Sequence, residues 1–299
     1  MATSRVPVAS PASISRVHYY HANASAYGGY YTSPVAQNIA PQASLSLASS
    51  GGYGSASAPG FTISHLGSKI FSFDSASTEV SGEISAVTGG WLTTVTTTLL
   101  GLDVVGVVTA DKLVAQIQTD HPQNGDYPTV SFAGSCIENL TVEGYPVEVT
   151  LGMDICDQSD DTGDDGYPSE ACIDDSDFLT TVADQYASMN DPDNLPDWVT
   201  DRTIPSWITQ RYTWDPSQNG ERSTVLSTLV QSTSGEFPGR PFLNALELPG
   251  IGRVFLGELL VDDRSYNLSM VRLELNGKHG HGLHGGPNSG ANGGTIPPS

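Results

Sequence analysis

The feature that most constrains this chain is a sustained period of two. Between Phe61 and Leu151 the stretches "KIFSFDS", "TEVSGEISAV" and "WLTTVTTTLL" alternate apolar and polar side chains. In an extended backbone, successive side chains point to opposite faces, and Val, Ile and Thr favour a pleated, half-buried surface. "GLDVVGVVTADKLVAQIQT" continues in the same style, with a turn expected at Thr109–Asp111. A second strong signal lies at "GRVFLGELLVDDRSYNLSMVRLELNG". It reads as a hairpin turning at Asp262–Ser265, with Val271, Leu273 and Leu275 on one face and Met270, Arg272 and Glu274 on the other. Short strands separated by Gly, Asp and Pro predict a mainly β fold, an antiparallel sandwich or barrel-like domain. Leu102–Gly106 and Leu140–Gly144 share an L-x-V-x-G spacing, the mark of a repeated strand–turn–strand unit.

Composition divides the chain into four segments. Residues 1–60 mix Tyr with Gly, Ser and Ala and offer little apolar surface, so they read as flexible. Residues 61–152 plus 242–277 form the β-domain. Residues 153–241 form an acidic insertion with short helices: Phe178, Val182 and Tyr186 recur at helical spacing behind an Asp175 or Ser176 cap. "PSWITQRY" suggests a second helix, with Trp207, Ile208, Arg211 and Tyr212 on one side. Residues 278–299 are a Gly/His-rich tail, in which His279, His281 and His284 offer at most weak metal affinity.

Within the insertion, "DICDQSDDTGDDGYPSEACIDDSD" carries ten carboxylates and no Lys or Arg. Asp157, Asp160, Asp161, Asp164 and Asp165 are candidate ligands for Ca²⁺, which accepts hard oxygen donors on a flexible turn. The EF-hand pattern fails at its third and twelfth positions, and a solvated acidic face is the competing reading. Cys156 and Cys172 flank this stretch. A bridge between them closes a loop of about 15 residues, adds roughly 3 kcal/mol in the chain-entropy model, and requires an oxidising compartment. Three free thiols are the alternative.

The formal charge of −21, from 33 acids against 12 bases, excludes ordinary nucleic-acid binding, which needs clustered Lys and Arg. No run of 18 apolar residues occurs, so no membrane-inserted helix is expected. The first 20 residues lack the apolar stretch of a secretory signal. The expected location is extracellular or the cell surface, by a route that does not use such a signal, with the cytoplasm as the alternative.

"GLDVVGVVTADKLVAQI", "IENLTVEGYPVEV" and "LPGIGRVFLGELLVDDRSYNLSMVRLEL" together resemble the choice-of-anchor class of bacterial surface proteins. That resemblance implies a β-rich envelope or extracellular protein. The chain departs from the class in its start and in the long 153–241 insertion.

No nucleophile elbow, phosphate-binding glycine loop, zinc-protease motif or C-x-x-C occurs, so no catalytic residue is assigned. Glu138, Glu143, Glu148, Glu247 and Glu258 read as outward acids on alternating strands. Three functions remain. The first is a structural protein that assembles with itself into filaments, with Tyr27, Tyr30 and Tyr31 adding a strand to a neighbour's sheet. The second is an adhesin or carbohydrate-binding module using Trp198, Trp207 and Trp214. The third is an enzyme of unrecognised type.

Overall fold

A computed structural model of the chain describes residues 17–31, 37–65, 67–123, 127–158, 163, 166–213, 224–263, 265–275, 283–285, 288–292 and 294–296. The fold is mainly β, built of antiparallel sheets with a short helical insertion and no closed barrel. Five short strands come first: β1 (Val17–Tyr19), β2 (Ala22–Ser25), β3 (Tyr27–Tyr31), β4 (Gln37–Gln42) and β5 (Leu45–Ser46). Four long strands follow as an antiparallel meander: β6 (Gly52–His65), β7 (Ser68–Ile84), β8 (Trp91–Val104) and β9 (Val108–His121). The short strands β10 (Thr129–Ser131), β11 (Cys136–Glu138) and β12 (Thr141–Val142) share the far edge of β9, and β13 (Tyr145–Pro146) pairs with β12.

The alternation sets the register of this first sheet. Val80 lies opposite Val95 and Val95 opposite Ile117, so one apolar row crosses three strands. All three are buried in the core. A one-residue slip would turn every such row to solvent. The threonines of "WLTTVTTTLL" obey the same period: Thr93 and Thr97 are fully buried beside Val95 and Leu99.

After β14 (Glu148–Leu151) come the helices α1 (Ser176–Asn190) and α2 (Ser206–Arg211). The chain then builds β15 (Val225–Thr228), β16 (Val230–Ser234), β17 (Arg240–Phe242), β18 (Ala245–Leu248), β19 (Gly252–Val261) and β20 (Ser265–Leu275). The described backbone ends with β21 (Leu283–Gly285), β22 (Asn288–Asn292) and β23 (Gly294–Ile296). The second sheet runs β17-β18-β19-β20-β21-β3-β4, with β15 on β19 and with β22 bridging β20 and β2. β14 pairs with β16, and β1 with β23, as separate ribbons. Two apolar clusters fill the space between the sheets. One joins Val80, Val95 and Ile117 to Leu259, Leu268 and Met270. The other joins Phe71, Leu99 and Leu113 to Val254, Val271 and Leu273.

Several expectations need correction. Residues 17–31 and 37–60 are ordered into strands, and a boundary at 60 would cut β6 in half. Tyr27 is fully buried, its ring 4.0 Å from that of Phe71. It was expected to reach a neighbouring subunit, but it fills the core of its own chain. β3 is paired on both sides, by β4 and β21, so its backbone is not free to add to another sheet. Local composition suggested too little apolar area to offset ordering; the compensating surface comes from Phe71 and Phe73, far along the chain. Tyr30 is exposed, and the side chain of Tyr31 lies outside the described residues. The tail likewise contributes backbone to the second sheet through β21 and β22.

The insertion rejoins the sheets at Val225, earlier than 242. The turn after β8 sits at Val105–Val107, not at Thr109–Asp111, which lies inside β9. Both L-x-V-x-G segments end in two consecutive residues of positive φ, Val105–Gly106 and Glu143–Gly144. The second is a two-residue hairpin turn of the type that matches strand twist. The two turns are adjacent, with the Glu143 amide donating to the Val107 carbonyl at 2.7 Å. Met270 is fully buried rather than outward with Arg272 and Glu274. The inward phase of the β19–β20 hairpin switches beside Gly257, whose φ of +55° suits glycine.

α1 behaves as its periodicity predicts. Phe178, Val182, Tyr186 and Met189 are buried, and the Asp175 carboxylate caps the Phe178 amide at 2.7 Å.

Candidate functional site

Three regions carry chemistry or exposed bonding capacity. The first is the open edge of β6. This 14-residue strand pairs with β7 on one side and with no other strand among the described residues. From Gly52 to His65 it holds no Asp, Glu, Lys or Arg. Tyr53 is 69% exposed, and Ser55, Ser57 and Pro59 are also exposed. Pro59 is compatible with an edge because it lacks an amide proton. Sequence reading missed this site by assigning its first half to a flexible segment. The signal was present as an alternating run, "GYGSASA", without charge.

The second region lies where α2 and its preceding loop cover β18, β19 and β20. Trp207 packs edge-on against Phe242 and Phe255. Its indole nitrogen donates to Glu247 at 3.2 Å, and the Arg253 guanidinium sits 4.4 Å from its ring centre. Glu258, expected as an outward acid, is 5% exposed. It accepts from Arg211 at 2.6 Å and from Arg272, while Tyr212 donates to it at 3.4 Å. Arg272 also pairs with Glu274 and stacks 3.8 Å from the centre of Phe255. Burial opposes the charge of Arg272, but Glu258 and Glu274 outweigh it and raise its pKa above the ordinary guanidinium range. Burial, then the Glu258 charge, raises the Tyr212 hydroxyl in the same way. Trp198 stands apart, against Phe237 at 5.3 Å. Trp214 lies outside the described residues. The expected tryptophan platform is therefore divided: Trp207 is occupied on the protein side, and Trp198 lines a cleft.

The third region is a buried histidine pair at one end of the first sheet. His18 stacks on Trp91 (4.9 Å, 6°) and lies 5.0 Å from His121. Neither nitrogen of His18, nor Nε2 of His121, has a hydrogen-bond partner among the described residues. Burial holds His18 down to about 4; burial, then the neighbouring His18, holds His121 down to about 3. Both rings are neutral at pH 7. Asp120 beside them accepts from Thr88 at 2.7 Å and from Tyr167 at 3.4 Å.

The acidic loop is bridged: Cys156 and Cys172 form a disulfide with Cα atoms 5.7 Å apart, and Cys136 is free. Of the candidate Ca²⁺ ligands, Asp157 borders a small cleft with Asp154, Asp175 and Asp177. Asp160, Asp161, Asp164 and Asp165 lie outside the described residues. Among the described residues, no three His, Cys, Asp or Glu side chains converge as a metal site.

A family model described as a domain of unknown function, DUF8256, matches residues 18–262. The chain belongs to this family. The matched span begins at His18, so the DUF8256 domain takes in the N-terminal strands as well as the meander. It ends at Asp262, in the turn between β19 and β20. No curated protein and no solved structure matches the chain.

Proposed function

We propose that this DUF8256 protein is a structural, non-catalytic protein that assembles with copies of itself outside the cell or at its surface, using the open edge of β6. One observation carries the reading: among the described residues the 14 residues of this strand pair on one side only, and they contain no Asp, Glu, Lys or Arg. An edge strand presents a row of unpaired amides and carbonyls, and proteins that stay monomeric usually guard it with charge, bulges or a covering element. Here Pro59 and the register shift between Ile63 and Ser64 are the obstacles, and both lie in the second half of the strand. Two β6 strands aligned antiparallel would add main-chain hydrogen bonds over about 45 Å, and side chains such as Tyr53 would supply fit. The Cys156–Cys172 bridge supports an oxidising compartment. The net charge of −21 opposes contact between copies, so salt should promote it by screening.

Negative-stain microscopy and light scattering on the full chain test this reading. The wild type should form oligomers or filaments whose mass grows with concentration and salt. Ser55→Glu combined with Ser57→Glu should leave monomers with an unchanged circular dichroism spectrum. Equal assembly by the double variant would remove β6 as the contact, and a wild type that stays monomeric at all concentrations would remove self-assembly.

A further inference from the structure

A cleft of about 630 Å³ opens between the Trp198–Asp201 segment and the turn joining β18 to β19. Trp198, half-buried and braced by Phe237, forms its apolar wall. Two arginines line it, and they differ in what they hold. Arg240 is engaged within the protein: Nε donates to Glu247 at 2.8 Å, and Nη1 donates to the Asp201 carboxylate at 3.1 Å and to the Thr203 carbonyl at 2.8 Å. Arg253 is held in place by its face rather than by its donors. It lies over Trp207, and its one hydrogen bond to the described residues is a long Nη1 contact with Glu274 at 3.4 Å. Its other N–H groups have no partner among the described residues, so a pre-oriented guanidinium fork borders the cleft. Asp201, at the rim with its side chain 66% exposed, adds acceptor oxygens.

We propose that this cleft binds a sugar bearing a carboxylate, of the uronic acid class. Arg253 takes the carboxylate in a two-pronged, charge-assisted contact. Trp198 packs against the apolar face of the ring, and Asp201 accepts hydroxyl protons. A plain anion would use the guanidinium but offer Asp201 no hydroxyl donor. A neutral sugar would leave the guanidinium unused.

Titration calorimetry on the full chain with tetragalacturonate, cellotetraose and an oligo-aspartate of similar length tests the proposal. Tetragalacturonate should bind and the other two should not. Arg253→Gln should weaken binding about tenfold or more, and Arg253→Lys should weaken it less, because the charge stays and the fork is lost. Assembly should be unchanged in both variants, which separates this site from the β6 contact. Equal binding of cellotetraose and tetragalacturonate would overturn carboxylate recognition. Equal binding of oligo-aspartate would make the ligand an acidic polypeptide instead. No heat with any probe, or unaltered tetragalacturonate affinity in a folded Arg253→Gln, would remove the site.

Discussion

Beside β19 and β20 the chain gathers four of its 12 basic residues, whereas along β6 it places no Asp, Glu, Lys or Arg at all. Arg211, Arg240, Arg253 and Arg272 all lie over the second sheet, paired with Glu247, Glu258 and Glu274 and stacked on Trp207, Phe242 or Phe255. Helix α2 covers Glu258 and Phe255 there, so the strand pairing beneath it is held within the molecule. The β6 edge has no second partner strand among the described residues and no Asp, Glu, Lys or Arg. Both regions belong to one sandwich, yet a buried carboxylate such as Glu258 binds the insertion to its own sheet, while an uncharged edge leaves bonding capacity facing outward. Ion pairing here serves the interior of the molecule, and its absence marks the place proposed for contact with a second copy.

The largest expected effect breaks the first side of that comparison. Glu258→Ala leaves Arg211 and Arg272 facing each other without their shared partner, so it should cost about 3–5 kcal/mol in urea unfolding. A loss below about 1 kcal/mol would mean that aromatic packing, not the ion network, holds the helices to the sheet. The folded fraction of this variant should assemble as the wild type does.

Next in size is an acid effect at the far end of the first sheet, where both nitrogens of His18 and Nε2 of His121 are buried without a hydrogen-bond partner among the described residues. The folded pKa values of His18 and His121 are about 4 and about 3, below the usual 6.5. The unfolded chain therefore takes up these protons first. Stability is complete above pH 6.5 and falls as pH drops from there towards 4 and 3. For the more deeply buried His121, the one the variant below removes, the loss is on the order of 3 kcal/mol by pH 4. His121→Asn should flatten the dependence between pH 6.5 and 4. The same slope in wild type and variant would place the acid sensitivity in carboxylates instead. Trp91 and Tyr20 pack on His18, so β1 is the strand expected to loosen first.

The smallest effect on stability is expected from the β6 variants. Ser55 and Ser57 are exposed, and adding charge there should change unfolding by about 0.5 kcal/mol or less. A large loss would show that this edge is part of the monomer's own structure and not a free surface.

Much of the fold is legible where the physics is local. The period of two in β7 to β9, the β19–β20 hairpin with its Asp262–Ser265 turn, and the Asp175-capped α1 all follow from nearest neighbours along the chain. What local reading misses depends on distant partners. Tyr27 appears unsupported until Phe71 is brought to it, and the glycine-rich tail appears unstructured until β20 supplies a template. Met270 appears outward because the switch beside Gly257 is a matter of φ, which residue type alone permits but does not require. The tryptophans were visible as types. Which of them faces a cleft and which is sealed beneath an arginine is decided by tertiary packing. The β6 edge is visible as an uncharged alternating run, but its openness depends on which strands find partners.

Amide hydrogen exchange, followed by mass spectrometry across a range of protein concentrations, tests the proposed β6 contact most directly. Peptides covering Gly52–His65 should gain protection as concentration rises, while those from β8 and β20, already paired on both sides, should not change. If the assembled mass grows while β6 exchanges at a constant rate, or if protection appears on another element instead, copies of this chain meet elsewhere and the open edge of β6 is not their interface.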